Sequence, residues 1–209
     1  MINLDCRHAL CANVGCNSVN ENSTLALITK KTDKGTTYQC SCCGQEYNEL
    51  PFTFGNNFPD YAFGIPADER KKRIELQESL CVVDGQHYFH RGRLTIPIHN
   101  YDQDLIFNVW TSISENNFRK RNDLWENPGR VNEEPYFGWL QTTIPTYGDT
   151  LNLKTIATEN EVGLIPTIKM IEDGHPLTID QENGITLAKA MEIVDFILTS
   201  GHKKPMDED

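Results

Sequence analysis

The 209-residue sequence has no apolar run approaching the ~18 residues that a membrane-spanning helix requires, which excludes that class of membrane protein. Its first ten residues, MINLDCRHAL, lack the basic-then-apolar build of a signal peptide, so a cytoplasmic protein is expected. Without export, its seven cysteines are not expected to form disulfides, because cytosolic reductants keep thiols reduced. Positive charge is scarce: 19 Lys and Arg stand against 30 Asp and Glu, a formal net charge of −11. That balance repels nucleic acid and favours a basic protein partner. The chain also lacks a nucleophile elbow, a phosphate-binding glycine loop, a His/Glu metal motif and a dinucleotide fingerprint, so the reactions that depend on them are not expected. There is no internal repeat and no long low-complexity tract.

What is present is uneven. Residues 5–47 carry Cys6, Cys11, Cys16, Cys40, Cys42 and Cys43, six of the seven cysteines. Residues 1–50 hold four basic against five acidic side chains, so about ten of the eleven net negative charges belong to residues 51–209. The expected division is a zinc-ribbon-like segment over 1–50, an acidic α+β domain over 51–200 and a flexible charged tail over 201–209.

TLALITKKT and GTTYQC are β-prone runs joined around Asp33, Lys34 and Gly35, and predict a hairpin. ADERKKRIELQESL predicts a surface helix whose basic run Arg70–Arg73 is a solvated face rather than an anion site. Asp84-Gly85 between CVV and HYFHRGRLTIPI is a hairpin signal. LIFNVWTSIS, YFGWLQTTI, LNLKTIATE and LIPTIKMIE read as further strands of a largely antiparallel sheet, and ENNFRKRNDLW as a short helix. In the last helix, Leu187, Ala190, Met191, Val194 and Leu198 fall at core spacing, with Thr186 as its N-cap and Gly201 at its end. The fold class is therefore α+β: a small zinc-ribbon hairpin packed on a mostly antiparallel sheet with two or three helices.

Cys40 and Cys43 followed by Gly44 give a Cys-x-x-Cys-Gly turn, whose two thiolates reach one ion. Cys42 lies inside that turn and is a bystander. The second pair is Cys6 with Cys11 or Cys11 with Cys16, both separated by four residues, with His8 as a third-choice ligand. CRHALCANVG followed by YQCSCCG resembles zinc-ribbon modules in which Cys-x4-Cys-x-Asn-x-Gly precedes Tyr-x-Cys-x-x-Cys-Gly. This resemblance implies Cys6, Cys11, Cys40 and Cys43 as ligands of one zinc ion. Four thiolates fill the coordination sphere and leave no place for a reacting water, so the zinc would be structural.

The ordered stretches from CSCCGQEYNELPFTFGNNFPDYAFGIP through FNVWTSISENNF and EPYFGWLQTTIPTYGDTLNLKT to GHPLTIDQENGIT resemble the bacterial domain-of-unknown-function 2199 family over about residues 38–195. The resemblance implies a bacterial origin, one compact domain opened by a Cys-x-x-Cys-Gly knuckle, and no transferable reaction.

The residues available for catalysis are His90 and Arg91 in YFHRG, Trp110 and Ser112 in NVWTS, Tyr136 and Trp139 in YFGWL, and His175 with Glu182 after it. If the protein is an enzyme, His90 and His175 are the general acid-base candidates. Each has a plainer reading: His90 as a satisfied core or edge histidine of a strand, His175 bonded to a backbone carbonyl in a turn before the last helix, and the tryptophans as core anchors. The sequence thus points to a non-enzymatic acidic protein-binding protein, an immunity or inhibitor protein for a basic bacterial toxin or enzyme, with a hydrolase-like enzyme built around His90 and His175, or a regulatory or scaffold protein, as the alternatives.

Overall fold

Alternation along HYFHRGRLTI (β7, His87–Ile96) sends His90, Gly92, Leu94 and Ile96 to one face, and LIFNVWTSI (β8, Leu105–Ile113) answers with Thr111, Val109, Phe107 and Leu105 directly opposite. The computed structural model describes residues 27–32, 35–40, 46–47 and 50–200. Across β9 (Tyr136–Leu140), β10 (Lys154–Thr158) and β11 (Thr167–Met170) the same inner face continues with Tyr136, Gly138 and Leu140, then Thr155 and Ala157, then Ile168 and Met170. β11 then meets β7 in parallel at Thr167 and Arg93, closing a five-stranded barrel in which the other neighbours are antiparallel.

Closure depends on missing side chains. A Cβ on Gly92 would sit 2.4 Å from Ile168 Cγ1, and one on Gly138 would sit 2.7 Å from the Ser112 carbonyl oxygen. Neighbouring strands thereby approach closely enough for a small barrel to fill its own interior.

Four α-helices are found among the described residues: α1 (Ala67–Arg73), α2 (Glu115–Asp123), α3 (Pro176–Asn183) and α4 (Leu187–Ser200). Two or three were expected. The addition is α3, hidden in GHPLTIDQEN because its eight residues carry little amphipathic pattern and its start is marked by His175 rather than by Ser, Thr, Asp or Asn. Leu177 of α3 and Ala190, Ile193, Val194 and Ile197 of α4 join Leu94, Ile96, Leu105, Phe107 and Met170 in the main core. The buried stripe of α4 is thus 190-193-194-197, while Met191 is 40% exposed, one position off the predicted face. Thr186 does cap this helix, its Oγ1 accepting from the Lys189 N–H at 3.2 Å.

The predicted surface helix is shorter than expected. It stops at Arg73, because Ile74–Leu76 (β5) pairs with β6 (Leu80–Val83) and places Ile74 against a second core of Ile65, Cys81, Val83, Phe89 and Trp110. Arg73 secures that change of direction by holding Asp84 through both carboxylate oxygens at 2.7 Å. Asp84 and Gly85 both have positive φ, 53° and 66°, the left-handed pair required by a primed turn, and this hairpin matches its sequence signal.

β4 (Thr53–Gly55) extends the sheet in parallel beside β8. A separate three-stranded sheet holds β1 (Leu27–Thr32), β2 (Gly35–Cys40) and β3 (Glu46–Tyr47), with Thr32 opposite Gly35 as the hairpin reading requires. Tyr38 of β2 packs against the main core. No helix among the described residues is long and apolar enough to cross a membrane.

Candidate functional site: a polar barrel mouth and its outer cleft

The barrel interior changes character along its length. One end is filled by the apolar core under α3 and α4; the other receives His90, Thr111 and Tyr136 from the inner face. Continuing the alternation of Thr155 and Ala157 brings the 7%-exposed Glu159 to that same end, just past β10.

Two guanidiniums close this mouth. In α2 the Ser114 Oγ accepts from the Asn117 N–H at 3.2 Å, and Glu115 pairs with Arg119 at 2.6 Å, so one helix face stays in solvent while Arg121 turns inward. Next comes a 3-10 turn, Pro128–Asn132, started by the Asn127 side chain accepting from the Gly129 N–H at 2.8 Å, and it delivers Arg130. Both arginines are at most 3% exposed. Arg130 donates from Nε to Glu159 Oε2 at 3.0 Å and also from Nη2, while its Nη1 reaches the Trp125 carbonyl at 3.2 Å. Tyr136 donates its hydroxyl to Glu159 Oε1 at 2.6 Å. Arg121 Nε lies 3.3 Å from the same oxygen, and Nη1 donates to the Ser79 carbonyl at 3.2 Å. Both guanidinium carbons stand over the Trp125 ring, at 5.4 and 5.7 Å from its centre.

Burial governs the titration of this group. It holds His90 well below its ordinary value, helped by the nearby Arg121 charge, and it also lowers Arg121. The Tyr136 phenol is pushed up, first by burial and then by the Glu159 carboxylate. His90 is therefore neutral, and neither ring nitrogen has a hydrogen-bond partner among the described residues. The cavity bounded by Arg121, Arg130, Tyr136, Glu159 and Lys120 is about 30 Å³, room for little more than water.

The sequence-derived candidates scatter around this centre. His90 and Tyr136 belong to it, with ring centroids 5.5 Å apart. His175 does not: its Nδ1 accepts from the Leu177 N–H at 3.1 Å and caps α3, which covers the opposite end of the barrel. Glu182 is exposed on the same helix. Trp110 and Arg91 face outward from β8 and β7, stacked at 5.0 Å and both donating to the Asn56 carbonyl, so Trp110 is the core anchor expected. Ser112 is half-buried on that outer face. Trp139 departs from its expected core position. It is 42% exposed, packed edge-on against Phe137 at 4.9 Å, because its register with Lys154 places it outside the barrel.

Arg121, Arg130 and Glu159 were missed by sequence reasoning. Period-two counting through LNLKTIATE could have placed Glu159 inward; nothing local distinguishes Arg121 from Arg119 and Lys120 beside it. Cys6, Cys11, Cys16, Cys42 and Cys43 lie outside the described residues, and with them the four-thiolate reading; Cys40 ends β2 opposite Leu27.

On the solvent side of the same cap, Trp125 is 39% exposed and borders an open cleft of about 380 Å³ with Gln77, Asn122, Asp123 and Glu126. Among the described residues neither Asp123 nor Glu126 is in an ion pair.

The model of a family described as uncharacterized protein conserved in bacteria, DUF2199, matches residues 39–185, more than half of the chain. The chain belongs to the DUF2199 family. The matched span contains the whole barrel, its α2 cap and Glu159, so the polar mouth lies within the DUF2199 region. No curated protein and no solved structure matches this DUF2199 chain.

Proposed function

We propose that this DUF2199 protein is a non-enzymatic, acidic protein-binding protein that receives a basic partner at the Trp125 cleft. The observation that carries the reading is an exposed indole edge beside two carboxylates, Asp123 and Glu126, in an open cleft of about 380 Å³. A lysine or arginine of a partner finds charge there, together with an aromatic surface for its aliphatic stem. Rigid backing comes from inside, where Arg121 and Arg130 stack on the ring. The chain's charge of −11 adds long-range attraction for a basic protein. An immunity or inhibitor protein neutralising a basic bacterial toxin or enzyme fits this surface. The separation of His90 from His175 leaves the enzyme reading without a paired acid and base.

The N-terminal thiolates complete the proposal. Cys6, Cys11, Cys40 and Cys43 supply a donor set suited to a structural zinc ion that staples the first hairpin.

The test uses a Trp139→Phe background, so that exposed indole emission comes from Trp125. A lysine- and arginine-rich peptide is titrated while fluorescence is read. Saturable quenching that weakens with added salt and disappears in Asp123→Asn/Glu126→Gln is expected. Equal quenching of parent and double variant would refute the cleft as the docking site.

A further inference from the structure

Counting partners among the buried groups of the barrel mouth leaves one charge over. Glu159 Oε2 is taken by Arg130 and Oε1 by Tyr136, and Glu133 is taken by the Lys120 ammonium. Glu134 stands exposed at the rim, where water solvates it. Arg121 is left with the least. Its side chain is 1% exposed, its Nε faces Glu159 at 3.3 Å without the alignment of a hydrogen bond, and its Nη2 has no partner among the described residues. A buried donor without an acceptor is costly, more so when it is ionised. The interior group of Arg121, Arg130 and Glu159 therefore carries one net positive charge, and Arg121 borders the cavity of about 30 Å³.

We propose that this cavity is a site for a monovalent inorganic anion of halide size, chloride in the cell, held by Arg121 Nη2 within the field of Arg130 and Lys120. Water in the same space would satisfy the donor but not the charge, whereas an anion does both. The volume sets the class. About 30 Å³ admits one small ion or one to two waters, and excludes a phosphate or an organic carboxylate unless α2 moves. The bound ion would also fix the guanidiniums beneath Trp125, so its effect is readable at that ring.

Two measurements test the site on the full chain. In crystals grown with bromide, an anomalous peak is expected within hydrogen-bond distance of Arg121 Nη2. In solution, thermal unfolding is followed in mixtures of chloride and gluconate at constant ionic strength, and the melting temperature is expected to rise saturably with chloride. Arg121→Gln should abolish that rise. Should it fail to fold, Lys120→Gln, at a position whose side chain is 56% exposed, should still fold and weaken the apparent chloride affinity several-fold. Identical melting in chloride and gluconate, or unchanged affinity in Lys120→Gln, overturns the proposal. So does a bromide peak unaccompanied by any saturable shift, which would mark an adventitious ion only.

Discussion

Replacing Glu159 with Gln perturbs the polar mouth at its centre. The side chain keeps its shape, and Tyr136 can still donate to an amide oxygen, but the negative charge facing two guanidiniums is lost. Arg130 gives up a two-pronged charged contact and Arg121 the carboxylate 3.3 Å from its Nε, with both arginines at most 3% exposed. Removing one partner of a buried ion pair typically costs ~3–5 kcal/mol, because the remaining charge has been desolvated without compensation. For a chain of this size each kcal/mol moves the melting temperature by roughly 2–4 °C, so a fall of about 6–20 °C is expected. Urea unfolding at neutral pH gives the free energy and differential scanning calorimetry the temperature. Replacing the pair together, as Glu159→Leu/Arg130→Met, should cost less than Glu159→Gln does, since one buried guanidinium, Arg121, rather than two is left without its carboxylate. A loss below about 1 kcal/mol for Glu159→Gln would show that the mouth is hydrated and the buried-network account mistaken.

His90 gives a pH signature. Its folded value lies well below the unfolded ~6.5, so below that pH the unfolded chain binds the extra proton and stability falls as pH drops. The wild type should lose about 1.4 kcal/mol per pH unit from this residue between pH ~6.5 and its folded value, a component absent from His90→Phe; parallel urea curves at pH 5.5 and 7.5 read the difference. Gly92→Ala forces a methyl to 2.4 Å from Ile168 and should destabilise by at least ~1–3 kcal/mol, with Ile168→Ala in the same chain partly relieving the clash. Burial pushes the Cys81 thiol up to about 12, so its peptide should remain unalkylated in native protein at pH 8 and react once urea is added; labelling at the native rate of a free thiol would contradict the second core. The purified protein should contain one zinc per chain by elemental analysis, lost together with thermal stability in Cys40→Ser/Cys43→Ser.

The barrel strands were legible as β-prone runs, and β7, β8, β9, β10 and β11 all fall within stretches that read as strand, whereas β5 fell within the stretch that read as a helix. Closure into a barrel was not, since it rests on a single parallel register, Thr167 with Arg93, between segments more than seventy residues apart. At the mouth, His90 and Tyr136 could be picked out as residues of the right chemistry. Their meeting with Arg121 and Arg130 could not, because those arginines come from a helix and a turn whose sequences look solvent-facing. Trp139 was misplaced for the converse reason: a large aromatic in a strand predicts burial, but its parity with Phe137 puts both rings outside. His175 was read as bonding backbone near a turn, and it does so by accepting from an N–H as a helix cap rather than by donating to a carbonyl.

The cleft beside Trp125 as the docking site for a basic protein is tested most directly by affinity capture from a native bacterial lysate. The full wild-type chain and Asp123→Asn/Glu126→Gln are compared at low and high salt. One basic protein retained by the wild type, released by salt and not retained by the double variant is the predicted result. Equal retention by both chains, or a captured protein that resists high salt, would contradict it.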